Sequence, residues 1–88
     1  MPIISKFYGI IIRVYFKDNE QHKFPHLHAS YNNENAVFNF ESKRIEGTMP
    51  IKKRKIVEAW IIIHKKELEE LWNKAVNGKG YFKIEPLK

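Results

Sequence analysis

Hydrophobic positions change their period once along this chain, from two in the first half to about 3.6 in the second. Gly9 to Phe16, read as GIIIRVYF, is the first stretch with period two and is rich in the β-branched and aromatic residues that pleated positions favour. Ile10, Ile12, Val14 and Phe16 form a wholly apolar row, and Ile11, Arg13 and Tyr15 form an amphipathic one. After a polar loop from Lys17 to Lys23, Pro25 introduces a second strand over His26 to Tyr31, in which Leu27, Ala29 and Tyr31 alternate with His26, His28 and Ser30. Asn32 to Asn35 can supply the left-handed backbone of a tight hairpin. A third strand spans Ala36 to Phe40, and Arg44 to Gly47 is a short fourth.

The helical half opens at Thr48, a suitable cap, and Pro50, whose missing N–H costs nothing in a first turn; Gly78 closes it. Ile56, Val57, Trp60, Ile63, His64, Leu68, Leu71 and Ala75 fall on one broad stripe, so the helix packs on the sheet and both tryptophans, Trp60 and Trp72, are core. A continuous helix from 50 to 77 would be about 42 Å long, more than a typical strand, so one end overhangs or bends. Ile51, Ile62 and Val76 point away from the stripe, weak support for a homodimer or heteromeric contact, and equally scattered surface apolars. Tyr81 to Ile84 offers a final strand. The expected fold is α+β: a small antiparallel meander of three or four strands packed on a long C-terminal helix.

Composition narrows the class. Eighty-eight residues suffice for a single domain, and 43% hydrophobic residues exclude a disordered chain. The longest apolar run, Ala59 to Ile63, is far short of the roughly 20 residues that cross a bilayer, so no membrane partner is expected. With no cysteine there is neither disulfide nor thiolate chemistry, and a cytoplasmic location is natural. A net charge of +6 favours polyanionic partners such as nucleic acid, or an acidic protein. The densest charge is Lys52, Lys53, Arg54 and Lys55, which spreads around the first turns of the helix and opposes its dipole, making this a candidate phosphate-binding run beside the plainer reading of solvated charge.

Chemistry concentrates at FPHLH. On a strand, His26 and His28 project from one face, where strand parity also places Arg13 and Tyr15. Two imidazoles can act as acid and base near neutral pH, while Arg13 clamps a phosphate and Tyr15 donates or stacks; the same spacing fits two strand histidines with no chemistry. Metal binding would require a further donor, with His22 the nearest, and no metal or other cofactor is assigned. The alternation is similar to that of histidine-triad nucleotide hydrolases, but Ser30 stands where a third histidine belongs and no glycine-rich context follows, which excludes that assignment. His64, on the apolar stripe, reads as a hydrogen-bonded, partly buried core residue.

The opening MPIISKFYGIIIRVYF, then PHLHASY, ESKRIEG, MPIKKRK, AWIIIHKKELEELW and the closing KIEPL resemble, in order and spacing, the bacterial domain-of-unknown-function family forty-one-sixty. That resemblance implies a compact protein often encoded beside a second small protein, in a pair like a toxin–antitoxin module. Its motif residues carry over to Arg13, Tyr15, His26, His28, Trp60, His64 and Trp72. The expected function is therefore a toxin–antitoxin-like component that acts on or binds RNA and has a small cognate protein partner. The alternative is a non-catalytic module that binds nucleic acid or the partner.

Overall fold

A computed structural model describes residues 3–14 and 25–87. Tyr15, Phe16, His22 and the expected loop from Lys17 to Lys23 lie outside the described residues. The elements run β1 (Ile3–Phe7), β2 (Ile10–Arg13), β3 (His26–Tyr31), β4 (Glu34–Asn39), β5 (Arg44–Gly47), α1 (Ile51–Ile63) and α2 (Lys65–Val76). The strands form one antiparallel sheet in chain order. The α+β meander is thus present with five strands, and Arg44–Gly47 is one of them.

The additional strand is β1, whose alternation is interrupted. Its register against β2 shifts between Ile3 and Ser5, and Ile4, Ser5 and Phe7 are all buried while Lys6 is exposed. A bulge of this kind inserts one residue and resets the inside–outside phase, so a period-two reading fails across it. Tyr8 and Gly9 then turn the chain with φ of 50° and 77°, positive at both positions of a two-residue link, which matches the right-handed twist of the strands it joins. At the β3–β4 link the turn occupies only Asn32 and Asn33, Asn32 has φ of 54°, and Glu34 and Asn35 already belong to β4.

One face of the sheet carries Ile10, Ile12, Val14, Leu27, Ala29 and Phe38, all completely buried. Val57, Trp60 and Ile61 of α1 and Leu68, Leu71 and Trp72 of α2 complete this core. Trp60 lies with its ring 5.4 Å from that of Phe7, and its indole N–H donates to the Glu85 carbonyl at 2.9 Å. The C-terminal segment is tied to the edge strand where Ile84 N–H donates to the Ile4 carbonyl at 2.8 Å. Residues 81–84 do not form the expected strand.

The single long helix is also corrected: it divides at His64, whose φ of −108° and ψ of 22° leave the helical region. The β-branched run Ile61, Ile62, Ile63 precedes this point and is a poor helix former. Bonding continues across the bend, from His64 N–H to the Trp60 carbonyl and from Leu68 N–H to the His64 carbonyl. His64 is largely buried, with its ring 5.3 Å from Trp60 and Nδ1 2.7 Å from Glu67 Oε1. Ile63, expected in the core, is 63% exposed, and Ile61, one turn beyond Val57, is buried instead. Pro50, not Thr48, occupies the cap position, with no side-chain cap hydrogen bond. At the other end Gly78, with φ of 70°, closes α2: its N–H bonds to the Ala75 carbonyl and Lys79 N–H to that of Lys74, the paired pattern of a Schellman motif.

Candidate nucleic-acid interface

The face of the sheet opposite the helical core is polar because strand parity makes it so. Arg13 of β2 stands directly across from His28 of β3, and His28 stands across from Val37 of β4, which in turn faces Glu46 of β5. One row along, Ile11 faces Ser30 and Ser30 faces Asn35. A hydrogen-bond chain joins the two rows: Arg13 Nη1 donates to Ser30 Oγ at 3.5 Å, and Ser30 Oγ donates to Asn35 Oδ1 at 2.6 Å. Arg13, His28 and Ser30 are half-buried and Asn35 is exposed. A guanidinium has five donors in a planar fork, so one long contact to a hydroxyl does not exhaust it.

His26 is brought beside His28, with ring centroids 5.3 Å apart, but its situation differs. It is completely buried and lies 5.2 Å from the Trp72 ring, which also meets Phe40 edge-on at 6.1 Å. His26 therefore forms the seam between the polar face and α2, whereas His28 sits beside the guanidinium. Tyr15, the fourth residue expected here, lies outside the described residues. Among the described residues there is no group of three or more His, Asp or Glu placed to hold a metal ion.

The four basic residues at the start of α1 separate into two kinds. Lys53 Nζ donates to the Tyr8 carbonyl at 3.1 Å and stands 4.8 Å from the centre of the Tyr31 ring, so it pins the helix to the first hairpin. Arg54 Nε is 3.6 Å from Glu58 Oε2, one turn along. Lys52 and Lys55 are exposed. No acidic residue occupies the first turn, and with no side-chain cap the backbone donors and cations at this end share one sign of potential.

The sequence profile of the family described as Domain of unknown function (DUF4160) matches residues 9–73. The chain belongs to that family. Among neither the curated proteins nor the solved structures does it find a significant match. The DUF4160 segment takes in β2 to β5, α1 and most of α2, and with them Arg13, His26, His28 and the basic start of α1; β1 and the C-terminal segment flank it. Sequence reasoning did not single out Ser30 and Asn35 as site residues. Ser30 shares the parity of His28 and was legible on that ground, but Asn35 joins the row only through the short hairpin that fixes its register. Among the described residues no helix is long and apolar enough to cross a membrane.

Proposed function

We propose that this DUF4160 protein binds RNA through the polar face of its sheet and the start of α1, as one member of a toxin–antitoxin-like pair. The observation that carries the proposal is the direct cross-strand pairing of Arg13 with His28, next to the Ser30–Asn35 hydrogen bond. A guanidinium, an imidazole and two neutral polar groups in adjacent rows match the needs of a phosphodiester: a planar bidentate donor, a second donor and hydrogen-bonding partners for the sugar. Lys52 and Lys55 add sequence-independent phosphate contacts, in keeping with the net charge of +6. The pairing with a second small protein rests on the family resemblance.

Binding is favoured over cleavage because His26 is completely buried, and a general acid or base must reach the scissile group. Cleavage is kept as the second reading because the two imidazoles lie 5.3 Å apart, suited to acid and base on either side of one phosphate once His26 is uncovered.

The test is retention of labelled RNA by purified protein in excess chelator, at several salt concentrations. Arg13→Ala and His28→Ala are each expected to weaken binding about tenfold or more. Lys52→Ala with Lys55→Ala should lower the salt slope by roughly one to two, given about 0.7 per phosphate on single strands. Wild-type affinity and slope in all these variants would defeat the binding proposal. Product formation lost in both His26→Ala and His28→Ala, with folding intact, would replace it with the hydrolytic reading.

A further inference from the structure

The helix that buries Val57, Trp60 and Ile61 against the sheet is apolar on its outer side as well. Ile51, Ile62 and Ile63 are 62%, 69% and 63% exposed, and Ala59 between them is exposed too. At about 100° per residue, Ile51, Ala59 and Ile62 lie within an arc of roughly 80° on the side away from the core. Isolated exposed apolar residues are ordinary on a protein surface, but a stripe along one helix marks a docking face.

Charge identifies what fits there. Exposed Lys55 lies between Ile51 and Ala59, exposed Lys52 follows Ile51, and exposed Lys66 is one turn beyond Ile62 across a bend that keeps its helical hydrogen bonds. Glu58, the carboxylate nearest this stripe on α1, is engaged by Arg54 on its far side. The exposed Glu69 and Glu70 lie a turn beyond Lys66, past the isoleucines, so the cations Lys52, Lys55 and Lys66 border the stripe itself, and two copies of this chain, each with a net charge of +6, would repel as they approach. We infer that the outer face of α1 docks an amphipathic, acidic helix of a partner protein, whose apolar residues cover Ile51, Ile62 and Ile63 and whose carboxylates meet Lys55 and Lys66. This surface is separate from the Arg13–His28 rows but shares Lys55 with the proposed phosphate contacts, so the peptide is tested on protein free of RNA.

The probe is a labelled synthetic helix with leucines along one face and glutamates bordering it, compared with the same peptide carrying lysines for glutamates and with a scrambled control. The acidic peptide is expected to bind intact protein, more weakly as salt rises. Ile62→Asp should lower its affinity about tenfold or more, as for a central interface residue. Lys66→Glu should weaken the acidic peptide and admit the lysine-bearing one. Both replacements fall at exposed positions, so an unchanged circular dichroism spectrum and melting temperature establish that the variants fold. Failure of the acidic peptide to bind, or equal binding of the reversed or scrambled peptide, overturns the inference. Sedimentation of the protein alone tests the other occupant: concentration-dependent dimerisation abolished by Ile62→Asp would assign the face to a second copy and overturn it too.

Discussion

The two faces of the sheet arise from the same strands, and they differ in what a substitution can change. On the helix-covered face, Ile12, Ala29 and Phe38 are completely buried and hold the fold by removing apolar surface from water. On the other face, Arg13, His28 and Ser30 alternate with those same core residues and remain half-buried. Period two therefore divides labour within a single strand: Leu27 and Ala29 anchor β3, and their neighbour His28 is presented beside Arg13. Stability and recognition are carried by adjacent residues yet should be separable by mutation.

The covered face should show the largest effect. Phe38→Ala leaves a cavity in a completely buried position and is expected to cost about 3–5 kcal/mol, read as the midpoint shift in urea unfolding with an unchanged slope. In a domain whose whole stability is typically 5–15 kcal/mol, that is a large share. A cost below about 1 kcal/mol, within the range of surface replacements, would erase the distinction between the faces.

Next is the backbone approach that closes β5 onto β4. Gly47 has φ of +87°, and a Cβ there would lie 2.2 Å from the Asn35 carbonyl oxygen and 2.8 Å from Ala36 Cα. Both the dihedral and the clash with backbone oppose any side chain, so Gly47→Ala is expected to destabilise by about 2–3 kcal/mol. Because Asn35 is the end of the hydrogen-bond chain from Arg13, this variant also tests whether the polar row depends on the register of the last strand. A stable Gly47→Ala protein with normal unfolding would show that β5 can shift without loss.

What the sequence made legible follows the same division. Parity alone put Ile10, Ile12 and Val14 inward and set Arg13 on the face of His26 and His28, because β2, β3 and β4 pair without a register shift. It failed at β1, where the bulge near Ser5 breaks the alternation, and at Tyr8, a residue type that gives no warning of a positive φ. Helical periodicity found Trp60, Leu68, Leu71 and Ala75 but assumed one straight axis through His64, and it drew the stripe too far round α1, which turns Val57, Trp60 and Ile61 inward and leaves Ile63 outside that arc. The depth of His26 was hidden for a different reason: it is set by Trp72, 46 residues away in the sequence. Local patterns fix which face a side chain takes, and long-range packing decides how far it is covered.

On the polar face, Ser30→Ala removes the hydroxyl that links Arg13 to Asn35 and leaves the core untouched. Its expected cost is about 0.5–1.5 kcal/mol, the net worth of an ordinary hydrogen bond, and well below that of Phe38→Ala. Unfolding of the two variants under the same conditions measures the contrast directly. An equal loss would mean that the polar row carries the fold as much as the core does.

The smallest effect belongs to the rim, where neither face is involved. Lys65, the first residue of α2, donates from Nζ to Glu41 Oε2 at 2.9 Å, joining the helical layer to the turn after β4. This hydrogen bond, then the charge of Glu41, raises the Lys65 pKa above its ordinary 10.5, with the more distant Glu69 adding to it against slight desolvation. A cation whose pKa is raised on folding contributes stability that is complete below the unfolded value and is lost as pH climbs through the folded one. The melting-temperature difference between wild type and Glu41→Gln should therefore be small and level at neutral pH, where exposed ion pairs contribute little. It should shrink only above pH 10.5, as the Lys65 ammonium gives up its proton. Groups outside this pair are the same in both proteins and cancel in the difference. A gap that persists undiminished through that range would show that Glu41 acts by packing or turn geometry, and that the rim is held by the hydrogen bonds from the backbone N–H groups of Glu41 and Lys43 to Asn39 Oδ1 rather than by charge.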